Sequence, residues 1–209
     1  NGELTLGAGA ALPPKIDAPL RVVFATPQET TAERPEISVV FNQPLFLDKD
    51  PKSVAAQPVT LTPSVPGKTI WVGTTAVRFV PDKPLAKATV YRVEVAKGLR
   101  SATGQVLDEP YRFSFRTELP NITGSEPETN TKSVTVDSPI ILHFNQPVTA
   151  EALSREVKIT ANKSQLPFSV KEIGKDYAVL QPQAPFPRES EVSVLVNAGL
   201  RGAEGELGM

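Results

Sequence analysis

A tetrapeptide that returns about a hundred residues later constrains this chain more than any other feature. Phe41-Asn42-Gln43-Pro44 recurs as Phe144-Asn145-Gln146-Pro147, 103 residues on. A strand-like run precedes each copy, Ile37-Ser38-Val39-Val40 in the first and Ile140-Ile141-Leu142-His143 in the second. Further on, the offset becomes 101: Pro81 matches Pro182, Pro84 matches Pro185, and Val93 and Val95 match Val194 and Val196. Gly98-Leu99-Arg100 matches Gly199-Leu200-Arg201, and Gly104 matches Gly205. Chance can copy one tetrapeptide; it does not copy an ordered series of markers at nearly constant spacing. The chain therefore reads as two homologous units of about 100 residues each.

Composition says what each unit is made of. Val, Ile and Thr are abundant, and 21 Pro and 13 Gly punctuate the chain, as expected of many short strands joined by turns. Period-2 alternation is clear. Ile37, Val39 and Phe41 share one face; Tyr91, Val93 and Val95 alternate with Arg92 and Glu94; Tyr111, Phe113 and Phe115 alternate with Arg112, Ser114 and Arg116. One apolar and one polar face is the pattern of an antiparallel sheet half exposed to water.

The first unit is predicted to hold strands at Leu20–Phe24, Glu36–Phe41, Val59–Thr62, Thr69–Val72, Ala76–Val80, Thr89–Val95 and Tyr111–Thr117. The second is predicted to hold Val134–Val136, Pro139–Phe144, Glu156–Thr160, Leu166–Glu172, Tyr177–Gln181 and Glu191–Val196. Pro167 places the Leu166–Glu172 strand at an edge or at a strand start, because Pro has no N–H to donate. Short helical turns are expected at Phe46–Lys52 and Ala150–Arg155, each after an Asn-Gln-Pro corner. The fold class is all-β: two tandem immunoglobulin-like β-sandwich domains, predicted to be elongated end to end because only Glu118-Leu119-Pro120 joins them.

The expected division is a flexible lead-in over 1–19, a first domain over 20–118 and a second over 119–209, with one short strand possible in the lead-in at Glu3–Leu6. The repeat also predicts that the second domain lacks its last strand, since the counterpart of Tyr111–Thr117 would begin near position 212. With Asn1 at its start and its only Met at Met209, the chain reads as a piece of something larger.

The chemistry is sparse. Cys is absent, which removes disulfides, thiolate metal sites and Cys nucleophiles. His143 is the single His, so any Ser-His pair must use it and no site can hold two imidazoles. The formal net charge of −1 argues against nucleic acid or an anionic membrane as a partner held by bulk charge. No apolar run approaches the ~20 residues of a membrane-spanning helix.

Each remaining candidate has a plain reading. Trp71 could stack on a sugar, but between Ile70 and Val72 it reads as a packing residue. His143 reads as a surface residue rather than a ligand or switch. Asp48, Asp50 and Asp82 lack the spacing of a calcium loop and read as turn residues. Asn121-Ile122-Thr123 and Asn162-Lys163-Ser164 fit a glycosylation pattern that arises often by chance. Gly98 and Gly104 read as turn glycines, since no helix follows them to form a phosphate loop. No residue is assigned a catalytic, cofactor-binding or metal role, no cofactor is expected, and enzyme ranks last among the function classes.

A family resemblance rests on particular segments. They are Phe-Asn-Gln-Pro at a strand end, Ile70-Trp71-Val72-Gly73-Thr74, Val77-Arg78-Phe79-Val80-Pro81-Asp82-Lys83-Pro84-Leu85, Ala88-Thr89-Val90-Tyr91-Arg92-Val93, Gly98-Leu99-Arg100-Ser101-Ala102-Thr103-Gly104 and Phe113-Ser114-Phe115-Arg116-Thr117. This run resembles the bacterial Ig-like module known from S-layer proteins, closely over Leu20–Thr117 and more loosely over Pro120–Met209. Its tandem use, with the Trp-Val-Gly-Thr segment, resembles the amino-terminal region of large bacterial alpha-2-macroglobulin-like proteins, which trap proteases. That family's Cys-Gln thioester has no counterpart here, and none of its functional residues carries over. The resemblance implies a periplasmic, cell-surface or secreted location. It implies a scaffold role, with other domains of the same chain as partners and proteases reached through the parent protein. The alternative is an adhesin or carbohydrate-binding surface, marked by an exposed apolar or aromatic strip.

Overall fold

The computed structural model describes residues 18–31, 35–47 and 58–209. Clustered by contact, the chain falls into two compact units, one built on 1–28, 36–82 and 92–113, the other on 29–35, 83–91 and 114–209. The lead-in strand expected at Glu3–Leu6, and most of the helical turn expected at Phe46–Lys52, lie outside the described residues.

The first repeat contributes strands β1 (Val22–Thr26), β2 (Glu29–Thr31), β3 (Ile37–Phe41), β4 (Val59–Thr62), β5 (Gly67–Val72), β6 (Ala76–Pro81), β7 (Val90–Val95) and β8 (Tyr111–Thr117). They form two sheets, β1-β3-β6-β5 and β2-β8-β7-β4. The alternation read from sequence is what the burial shows: Ile37, Val39, Val77, Val93 and Val95 are wholly buried, and their chain neighbours face out. β2 was not expected from the sequence; it is three residues long and pairs parallel to β8.

The second repeat contributes β9 (Ile122–Glu126), β10 (Ile140–Phe144), α1 (Ala150–Glu156), β11 (Val157–Ala161), β12 (Ser164–Leu166), β13 (Phe168–Ile173), β14 (Tyr177–Pro182) and β15 (Val192–Val196). Its sheets are β13-β14-β10-β9 and β12-β11-β15. Ile140, Leu142, Leu153, Ile159, Ala178, Leu180 and Leu200 form the core between them. The first sheet matches the β1-β3-β6-β5 sheet of the first repeat strand for strand. With four and three strands in its two sheets, and the first repeat with four and four, each repeat is a β-sandwich.

α1 lies where a helical turn was expected and is seven residues long, the one helix among the described residues. The Thr149 side chain caps it by accepting from Ala152 N at 3.2 Å, and Arg155 sits in its last turn, where a cation suits the carbonyl end.

Two strand expectations need correction. Val134–Val136 is a loop, with Val134 37% and Val136 41% exposed. The strand that opens the second repeat is β9, whose sequence Ile-Thr-Gly-Ser-Glu carries almost no apolar alternation. Its place is fixed by backbone pairing with β10, which composition does not reveal. The single strand expected over Leu166–Glu172 is two, broken at Pro167: β12 pairs with β11 in one sheet, and β13 pairs with β14 in the other. A residue with no N–H sits where the chain changes sheets, so no ladder bond is lost.

Candidate functional site

The repeated tetrapeptide is a lock on the incoming strand. In the first repeat the Asn42 Oδ1 accepts from Arg21 N at 2.9 Å, and its Nδ2 donates to Pro19 O at 3.0 Å. Asn42 N donates to Arg21 O at 3.1 Å. In the second, Asn145 repeats each bond: Oδ1 accepts from Asn121 N at 2.8 Å, Nδ2 donates to Leu119 O at 2.9 Å, and Asn145 N donates to Asn121 O at 3.1 Å. The Pro carbonyls match too, Pro44 O accepting from Ala102 N at 2.8 Å and Pro147 O from Ala203 N at 2.9 Å. An Asn amide carries its acceptor and its donors on separate atoms, so it meets a backbone N–H and a backbone C=O at once, which an ionised carboxylate, having no donor, cannot do. The motif thus carries architecture rather than reactivity.

The neighbouring glutamines have diverged. Gln43 is buried; its Nε2 donates to Ala18 O at 2.6 Å and its Oε1 accepts from Thr103 Oγ1 at 2.7 Å. Gln146 is equally buried, yet its Nε2 has no hydrogen-bond partner among the described residues.

Trp71 lies on the inner face of β5, opposite the buried Val77, and meets the Phe46 ring edge-on at 5.2 Å. This is the packing arrangement expected from its sequence context. What the sequence reading did not find is the other face of the same sheet. Phe24, Val40, Ala76 and Val72 stand opposite one another in register, forming an apolar row across all four strands. Phe24 is 55% exposed and Val72 48%. Ile70 and Val80 add exposed apolar surface further along the same face, with Arg78 opposite Ile70, its Nη1 3.4 Å from Glu36 Oε1. A bulge between Val22 and Phe24 puts both Val23 and Phe24 outward, a break in alternation that hides the row from a period-2 reading.

His143 faces outward on β10, as its alternation with Leu142 and Phe144 requires. It has a partner that the sequence did not show: Nε2 lies 3.0 Å from Glu126 Oε1 on β9. Tyr177, opposite His143 on β14, donates its hydroxyl to Glu172. That bond and the Glu172 charge hold the Tyr177 phenol above its ordinary range. The Tyr91 phenol is also raised, chiefly by burial; it accepts from Ala86 N at 3.1 Å, and its ring stacks on Phe115 at 5.6 Å.

The other sequence candidates sit in turns. Asp82 N donates to Pro66 O at 3.0 Å just past β6. Asp48 and Asp50 lie outside the described residues. Gly98 and Gly104 both have φ of 87°, a turn conformation that favours glycine. Asn121 is engaged through its backbone in the second lock. Asn162 and Lys163 have φ of 46° and 70° and make the two-residue hairpin between β11 and β12. Among the described residues no group of three or more His, Cys, Asp or Glu could hold a metal, and no helix is long and apolar enough to cross a membrane.

No curated protein matches this chain. Among solved structures, L,D-transpeptidase 3 from Mycobacterium tuberculosis, in complex with a faropenem-derived adduct, aligns at 15% identity over 76% of this chain and 75% of that one, with a TM-score of 0.33. The titin domains z1z2 in complex with telethonin align at 12% identity over 85% and 96%, with a TM-score of 0.29. Alignments this loose carry no argument about function. The family model described as "Bacterial Ig-like domain" matches twice, over residues 16–117 and 118–208. Two β-sandwich repeats, closed by the same asparagine lock and each matched by that model, make this chain a tandem member of the bacterial Ig-like domain family.

Proposed function

We propose that the two repeats are non-catalytic positioning modules of a larger bacterial protein of the periplasm, cell surface or secreted fraction. The observation that carries this reading is the duplicated asparagine lock. The feature kept in both copies organises the fold, whereas the chemistry-bearing side chains are neither repeated nor gathered into a constellation. His143 meets the Glu126 carboxylate, and that pair has no counterpart in the first repeat, where Val40 stands at the position of His143. An alpha-2-macroglobulin-like protease trap is the parent that the Trp71 segment favours, with proteases met elsewhere in that parent.

A second reading, an adhesin or carbohydrate-binding face, is favoured by the apolar row of Phe24, Val40, Ala76 and Val72. Exposed apolar surface laid out in register across a whole sheet suits a partner better than solvent.

Fractionation of the producing cell with an antibody to this chain tests the first reading; recovery from the cytosol overturns it. Val72→Lys, on the exposed side of β5, separates the two. The positioning role predicts unchanged attachment or assembly of the parent protein. The binding role predicts loss of capture of whatever the row contacts.

A further inference from the structure

Each repeat carries an outward row at the same place on its first sheet, and the two rows differ in kind. In the first repeat the row is Phe24, Val40, Ala76 and Val72. In the second, His143 stands opposite Gly124 on β9 and Tyr177 on β14, and Gly174 N donates to Tyr177 O at 2.8 Å. The bulge recurs too, between Val22 and Phe24 in β1 and between Ile122 and Gly124 in β9. The matching row is therefore Gly124, His143, Tyr177 and Gly174. Rings fill its middle, where the first repeat has Val and Ala, and glycines flank them, where it has Phe and Val. All four strands of this sheet lie within the described residues.

The next row is changed in step. Glu126 stands opposite Ile141, Ile141 opposite Val179, and Val179 opposite Glu172. Where the second repeat has these two carboxylates, the first has Thr26 and Ile70. The carboxylates hold the rings: Glu126 Oε1 lies 3.0 Å from His143 Nε2, and the Tyr177 hydroxyl donates to Glu172. The two rings lie 6.4 Å apart, tilted by 51°. Gly174 is required beside them, since a Cβ there would run into the Tyr177 ring, and Gly124 leaves the flank of His143 bare of a side chain. Tyr177 is partly exposed, and 36% of the His143 side chain and 63% of the Glu126 side chain are accessible. Rings that are held in one pose while partly exposed are prepared for contact, because little ordering is left to be done on binding.

We propose that this face of the second repeat, built on His143 and Tyr177 between Glu126 and Glu172, is a binding site for a neutral oligosaccharide. Aromatic rings offer flat apolar faces to the C–H groups of a sugar. A carboxylate accepts through two oxygens, so Glu126 and Glu172 can each hold a ring with one and a sugar hydroxyl with the other. Lys171, exposed at the bulge before Glu172, adds a donor of opposite charge. Hydroxyls donate and accept, and so use the whole mixed set around the rings; a cation would use the carboxylates alone and meet Lys171. Glu126 and Glu172 stand on strands three spacings apart, about 14 Å. That is wider than one sugar ring, so the ligand is an oligosaccharide rather than a monosaccharide. The site adds contact to a positioning module, and it is separate from the apolar row of the first repeat.

The probes are cellotetraose, chitotetraose and mannotetraose, with glucose and tetralysine as controls, each titrated into the whole chain and followed by amide NMR shifts. Expected is saturable binding of at least one tetrasaccharide, with shifts centred on Gly124, His143, Glu172, Gly174 and Tyr177, and at least tenfold weaker binding of glucose. Tyr177→Ala, which makes the position match Ala76, should weaken that binding at least tenfold while the shifts of β11 and β15 stay in place. If Tyr177→Ala unfolds the repeat, Glu126→Gln decides: it keeps the size of the side chain, removes its charge, and should weaken binding about threefold. The proposal is overturned if no tetrasaccharide binds saturably, if the folded variant binds as well as the unaltered chain, or if tetralysine shifts the same residues at a lower concentration than any sugar. Shifts confined to Phe24, Val40, Ala76 and Val72 also overturn it, and place sugar binding on the first repeat instead.

Discussion

Asn42 and Arg21 bond each other twice, Arg21 N donating to the Asn42 side chain at 2.9 Å and Asn42 N donating back to Arg21 O at 3.1 Å. The closed ring ties the start of β1 to the end of β3 through polar bonds alone, beside the buried Leu20 and Ala25. Asn145 and Asn121 repeat it. Asn42→Ala and Asn145→Ala each remove two side-chain bonds, worth about 1 kcal/mol apiece. We expect each variant to lose about 1–3 kcal/mol in denaturant unfolding, and β1 or β9 to exchange its amides faster. An unchanged midpoint for both variants would show the lock to be ornamental.

The paired glutamines should respond differently to the same change. Gln43→Leu leaves Ala18 O and the Thr103 hydroxyl without their partner, at a cost of about 1–3 kcal/mol. Gln146→Leu removes a buried Nε2 that has no partner among the described residues, so thermal unfolding should shift little, or upward. Equal losses in the two variants would contradict the asymmetry seen here.

Gly67 opens β5 because nothing larger fits. A Cβ there would run into the Phe79 ring and lie 2.6 Å from Val80 O, and Phe79 is a core residue that cannot move away freely. Gly67→Ala should destabilise by about 1–3 kcal/mol, the usual penalty for overpacking. Trp71, the only Trp, reports the result, since its emission should shift red as β5 loosens.

Tyr177 provides a pH signature. Its hydroxyl donates to Glu172, and the phenol lies above its usual value of 10 for that reason first and for the Glu172 charge second. The folded state holds this proton more tightly than the unfolded chain. Any stabilisation is therefore complete below pH 10 and is lost as pH rises through the raised folded value. In an absorbance titration of the three tyrosines, Glu172→Gln should bring one transition down towards 10. The Tyr91 transition, raised chiefly by burial, should stay where it was.

Much of the fold was legible along the chain. The offset repeat gave two homologous β units, and alternation at Ile37–Phe41, Val90–Val95 and Tyr111–Thr117 gave strands with the correct inward face. It did so because a half-buried strand must write its burial into every second residue. Where burial is not the cause, the sequence was silent. β9 is held by its backbone and by Asn145, so its polar composition misled, while the apolar Val134 and Val136 lie in a loop. Tyr111 and Phe113 alternate as cleanly as Phe115, yet only Phe115 is fully buried.

The surfaces divide in the same way. By itself the sequence determined the duplication, the all-β class and the poverty of reactive groups, because these follow from residue types and their spacing. Tertiary structure alone decided that the Phe-Asn-Gln-Pro asparagine ties down a strand some twenty residues earlier. It alone decided that Phe24, Val40, Ala76 and Val72 meet in one row, that His143 faces Glu126, and that Val194 is only partly buried where Val93 is wholly covered. Each of these depends on which strand lies beside which, and strand order is set by long-range pairing that no local pattern encodes.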